Sequence, residues 1–114
     1  MLSIKIYINM RYFPYPEKEA ITLAGLLYAL SDSIRLEIVM TLSDGMEKGA
    51  YEFKSLCKSP TLAYHFRILR EAGITKTRIE GRYHFISLRS EDLNTSFPGL
   101  IDTIVKSAKS SNKQ

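Results

Sequence analysis

At 114 residues, 45% hydrophobic and 25% charged, the chain is the size and composition of one soluble domain with a modest core, which excludes a disordered polymer. No apolar run nears the roughly 20 residues of a membrane span, MLSIKIYINMRY lacks the apolar block of a secretory signal, and Cys57 stands alone. These features point to a reducing, cytoplasmic setting. The net charge of +4 is unevenly spread: between Phe53 and Arg89 lie eight basic and two acidic residues, net +6, so the remainder sums to −2. A basic segment on a slightly acidic molecule suits a polyanion-binding face, although scattered solvated lysines give the same count.

In chain order, Ile4, Ile6 and Ile8 alternate with Lys5, Tyr7 and Asn9, the pattern of a short strand or a flexible extension over residues 1–15. Pro14 and Pro16 interrupt regular structure and open a helix. From Glu17 to Leu30 the stripe Ala20, Leu23, Leu27, Leu30, widened by Leu26, predicts one amphipathic helix. Its apolar face is broad enough to serve a core and a partner together. Asp32 is an N-cap for a second helix, Ser33 to Leu42, buried through Ile34, Ile38, Val39 and Leu42 and ended by Ser43-Asp44-Gly45. Met46 to Ala50 reads as a loop, and Tyr51 to Cys57 as a short helix with Phe53 and Leu56 inward.

Ser59 as N-cap and Pro60 at the first helical position open a clearer helix, with Leu62, Phe66 and Leu69 as its buried stripe and Gly73 as its stop. A hairpin follows, Ile74 to Glu80 and Arg82 to Leu88, turning around Glu80-Gly81-Arg82. Ser96 or Asn94 caps a last helix, about Pro98 to Ser107, and residues 108–114 form a flexible tail.

This order predicts a mainly α fold with a β-hairpin wing (α+β), a winged helix-turn-helix domain over residues 16–107. A helix fits the major groove of B-DNA, and a basic hairpin can lie on the neighbouring backbone. The residues placed for duplex DNA are Ser59, Pro60, Thr61, Ala63, Tyr64, His65, Arg67 and Arg70 on the helix, and Lys76, Arg78 and Arg82 on the wing. Some have a competing structural role. Ser59 caps, and His65 sits at the edge of the buried stripe, where a satisfied core histidine is the other reading.

Three separated segments resemble the ArsR/SmtB family of bacterial winged-helix repressors: ALSDSIRLEIV at 29–39, SPTLAYHFRILREAGI at 59–74 and EGRY at 80–83. The likeness runs from about Pro16 to Val105. Leu88 to Leu93 followed by Phe97-Pro-Gly-Leu is similar to a branch of general regulators that do not sense metals. The resemblance implies a sequence-specific repressor, released from DNA by an unidentified signal. It also implies a homodimer held by the first and last helices, through Leu23, Leu26, Leu27, Leu30, Leu100, Ile101, Ile104 and Val105. The broad apolar faces of those helices support a dimer independently, because one small monomer would struggle to cover them.

Two positions depart from the family pattern. Ser33 stands where a proline is common, and Ala63-Tyr64 stands where serine and a polar or basic residue are usual. Alanine cannot hydrogen-bond a base but can pack on a thymine methyl, so the operator does not transfer from relatives.

Metal sensing in such proteins needs a cysteine pair or a set of aspartate and histidine ligands; this chain has Cys57 alone and Asp102 alone in those regions, so neither metal nor cofactor is expected. Cys57 beside Lys58 is a candidate redox thiol or, more simply, a small core residue. No phosphate-cradling glycine loop, nucleophile elbow or triad suggests an enzyme. The competing readings are a winged-helix module that binds a protein through its first helix, and a repressor answering a small organic effector between the dimer helices.

Overall fold

The computed structural model describes residues 11–111. The alternation at Ile4, Ile6 and Ile8 lies outside the described residues. Strand β1 (Arg11–Tyr12) pairs antiparallel with β3 (Thr75–Glu80), β3 with β4 (Tyr83–Leu88), and β4 with β2 (Lys48–Gly49), giving the sheet order β1-β3-β4-β2. The helices are α1 (Leu23–Ala29), α2 (Ser33–Leu42), α3 (Ser59–Glu71), α4 (Ser90–Ser96) and α5 (Leu100–Ser111).

The helix expected from Glu17 to Leu30 is broken. Lys18–Ala20 makes one 3-10 turn, Ile21 and Thr22 are extended, and α1 begins at Leu23. The break has two causes. Ile21 is buried against Gly73, and the Thr22 side chain caps α1 by accepting from the Gly25 N–H at 3.0 Å. The second helix has the predicted bounds, because Asp32 accepts from the N–H groups of Ile34 and Arg35 at 2.9 and 3.1 Å.

The segment expected as a helix over Tyr51 to Cys57 is instead a 3-10 turn at Ala50–Phe53 with Phe53 buried, followed by bends. α3 then starts one residue earlier than predicted: Lys58 is the N-cap residue, so Ser59 lies in the first turn and makes no cap bond. Its far end closes as a Schellman motif, with Gly73 N–H donating to Arg70 and Ile74 N–H to Leu69. Gly73 has φ +89°, and a Cβ there would come within 2.5 Å of the Ile21 side chain, so glycine is required twice over. The hairpin turns through Gly81-Arg82, with Glu80 opposite Tyr83 and φ +60° at Gly81.

α4 was not expected. It holds one buried apolar residue, Leu93, and is tied down by Arg89, which pairs with Asp92 at 2.9 Å and donates to the Pro16 carbonyl at 2.7 Å. Gly99, at φ +75°, separates it from α5. α5 begins at Leu100 rather than Pro98. It stays helical to Ser111 with Ala108 buried, past the point where fraying was expected. The core is continuous through α1, α2, α3, the sheet and α5, centred on Leu26, Ile38, Leu42, Leu69, Ile74 and Ile86.

Candidate nucleic-acid interface

α3 is held from beneath by Leu62 and Leu69, and Phe66 meets Phe53 edge-on at 5.5 Å. That anchoring leaves Ser59, Pro60, Thr61, Ala63, Tyr64 and Arg67 exposed on one side of the helix. The Arg67 guanidinium lies 5.5 Å from the Tyr64 ring centre, so the two side chains form one stacked unit. Arg70 is half-buried over the Phe13 ring at 4.7 Å, and its burial draws its pKa downward.

The wing distributes its cations differently. Lys76 is half-buried beside Tyr12, and Arg82 is exposed at the hairpin tip. Arg78 is held by carboxylates: it meets Glu47 through two nitrogens at 2.9 and 3.1 Å and Glu80 at 2.7 Å. Both acids push its pKa above the ordinary arginine value. Arg78 therefore ties β3 to the segment before β2, with its charge already met by two carboxylates. Arg11, which sequence reasoning missed, is exposed on β1 opposite Ile79 at the outer edge of the wing.

His65 follows the core reading rather than the DNA-contact one, since it points inward and is only 6% exposed. Its Nδ1 lies 3.1 Å from Arg35 Nη1. A guanidinium can only donate, so Nδ1 accepts and the proton of the neutral ring belongs on Nε2. Arg35, itself 5% exposed, also donates from Nε to the Ala29 carbonyl at 2.7 Å. One buried arginine thus ties the end of α1 and the first turn of α2 to α3. Nothing local marks it, because its histidine partner is 30 residues away. Nearby, partial burial works to raise the Asp32 carboxyl, but the hydrogen bonds from the N–H groups of Arg35 and Ile34 and the Arg35 charge outweigh it and hold Asp32 below the usual carboxylate value.

The chain is similar to bacterial transcriptional regulators. It is 40% identical over 84 residues to the HTH-type transcriptional regulator YceK of Bacillus subtilis, covering 71% of this chain and 84% of that protein. It is 38% identical over 79 residues to the biofilm growth-associated repressor of Agrobacterium fabrum, covering 68% of each. Among solved structures, HlyU from Vibrio cholerae superposes with a TM-score of 0.61 at 28% identity, covering 73% of this chain and 87% of HlyU. The repressor BigR from Xylella fastidiosa gives 0.54 at 28% identity over 84% of this chain and 94% of BigR. An ArsR family transcriptional regulator gives 0.58 at 19% identity over 86% of this chain and 99% of that one, a likeness of fold. The chain belongs to the ArsR/SmtB family of winged helix-turn-helix transcriptional regulators. No protein-family model matches it.

In this ArsR/SmtB chain the eight leucine, isoleucine and valine residues expected at a dimer interface divide into three groups. Leu26, Leu30, Ile101 and Val105 lie in the chain's own core. Leu23 and Leu27 are each 49% exposed, one helical turn apart, with Tyr28 at 60% beside them. Leu100 and Ile104 are half-buried at the edge of α5. Cys57 is a free, half-buried thiol packed against the core just before α3. Among the described residues, no three His, Cys, Asp or Glu side chains are grouped to hold a metal ion, and no helix is long and apolar enough to cross a membrane.

Proposed function

We propose that this protein is a cytoplasmic homodimer that binds an inverted-repeat operator in duplex DNA and represses transcription from it. The observation that carries this reading is the outward stripe of α3: Thr61, Ala63, Tyr64 and Arg67 are exposed together on a helix whose other side is locked into the core. In the major groove, Tyr64 and Ala63 meet base edges, with Ala63 suited to a thymine methyl. Arg67, Ser59 and Thr61 meet phosphates, and Lys76 and Arg82 extend that contact along the wing. Leu23, Leu27 and Tyr28, exposed on α1, pack on their copies in a second chain and set the distance between the two α3 helices. Names among the relatives, such as the biofilm growth-associated repressor, support repression as the outcome.

The test is a binding selection from fragmented genomic DNA at near-physiological salt with excess competitor, followed by sequencing. Recovery of an inverted repeat with half-sites about one helical turn apart supports the proposal. Uniform recovery that disappears with added salt contradicts it, and leaves a protein-binding module as the better reading.

A further inference from the structure

Between α3 and the inner face of the wing lies a cavity of about 410 Å³, within the rough range of 300–1,000 Å³ typical of small-ligand sites. Phe13, Phe66 and Ile86 give it apolar walls, and Arg67 and Arg70 line it one helical turn apart. Among the described residues the arginines that pair with carboxylates are Arg78 and Arg89, so both cavity arginines lack an acid partner. Thr77 also lines the cavity. It is 3% exposed, and its hydroxyl is the one buried side-chain oxygen or nitrogen among the described residues without a hydrogen-bond partner. A native interior seldom leaves a hydroxyl unpaired, so Thr77 has a donor to offer to a water or a ligand that reaches it.

Apolar walls, two guanidiniums outside any ion pair and an unsatisfied hydroxyl together describe one kind of ligand. We infer that this cavity binds a small organic anion, an aromatic or aliphatic carboxylate, and that its occupation opposes DNA binding. The carboxylate lies on Arg67 and Arg70, the apolar body on Phe13 and Phe66, and Thr77 supplies a donor. A DNA phosphate could reach the same arginines from outside, but it would leave the apolar walls and Thr77 unmet. The second half of the inference rests on the repressor reading. A ligand held by Arg67 removes a phosphate contact and wedges the wing away from α3.

The experiment titrates the full-length chain with indole-3-acetate and with hexanoate up to about 10 mM, following backbone amide shifts by NMR, with indole-3-acetamide as the neutral control. The expected result is saturable shifts confined to α3, β3 and β4, absent with the amide and weakened at least about tenfold by Arg70→Gln. Thr77→Val is the second variant. It replaces an unpaired hydroxyl by a methyl of the same shape, so the fold is retained while anion affinity falls. In a parallel anisotropy assay on the selected operator, the anion raises the DNA dissociation constant of the wild type at least about tenfold, and that of Thr77→Val much less.

Absence of shifts at the lining amides, or equal shifts from the neutral amide, overturns the site. Binding that leaves operator affinity unchanged overturns the regulation. Failure to bind any operator counts against the repressor reading instead, and the NMR titration still decides the site.

Discussion

The face built from α3 and the wing and the face built from α1 and α5 differ in chemistry but divide their residues in the same way. On the first, Tyr64, Arg67 and Arg82 are exposed, whereas His65 is interior and Arg78 is bound to Glu47 and Glu80. On the second, Leu23 and Leu27 are exposed, whereas Leu26, Leu30, Ile101 and Val105 fill the chain's own core. Periodicity identifies the stripe to which a residue belongs. It does not say which members of that stripe are consumed by contacts made within the chain, since those depend on partners distant in sequence.

The comparison breaks first on the apolar side. Leu27→Glu places a charge on the exposed face of α1 without touching the core; sedimentation should show a monomer, and operator affinity should fall by about a hundredfold or more as the second half-site is lost. A dimer of unchanged affinity would move the interface elsewhere. On the polar side, Tyr64→Ala should lower operator affinity about tenfold while hardly changing affinity for unrelated DNA, measured by competition. Equal loss on both DNAs would make Tyr64 a backbone contact.

Smaller effects test the frame that holds the two faces together. Asp32→Ala removes the α2 cap and should cost about 1 kcal/mol in denaturant unfolding at neutral pH. The folded-state pKa of Asp32 lies below its unfolded value, so its ionisation contributes stability above the unfolded pKa, and that contribution disappears as pH falls through the folded value. The gap between wild type and Asp32→Ala should therefore narrow in acid; a gap independent of pH would mean the carboxylate charge is immaterial. The smallest effect is expected at Cys57. Half-buried against the core, it should tolerate Cys57→Ser with little change in DNA affinity, and peroxide should affect wild type and variant equally. Release of DNA from the wild type alone would make the thiol a switch.

What was legible in the sequence had local causes. Asp32 starts α2 because a carboxylate two and three residues ahead of free N–H groups caps them, and Gly73 ends α3 because the backbone there needs positive φ. The break at Ile21-Thr22 was hidden because Ala20, Leu23, Leu27 and Leu30 share one stripe, and only Gly73, 52 positions after Ile21 in the sequence, draws Ile21 out of it. α4 escaped notice because its seven residues hold one buried apolar side chain and depend on Arg89 for attachment. Of the residues exposed on α3, those set by the helical period were visible. The burial of His65 and Arg35 and the capture of Arg78 by Glu47 involve pairs 30 and 31 residues apart, which no spacing rule reveals.

The most direct measurement is the salt dependence of operator affinity for the wild type, Arg67→Ala and Arg78→Ala side by side. Arg67 is exposed on α3 and Arg78 is held by two carboxylates, so only the first should release a counterion from DNA. The account predicts that Arg67→Ala weakens binding and lowers the slope of log K against log salt by about one, while Arg78→Ala lowers the melting temperature and leaves the slope unchanged. An unchanged slope for Arg67→Ala, or an equal reduction for both variants, would contradict it.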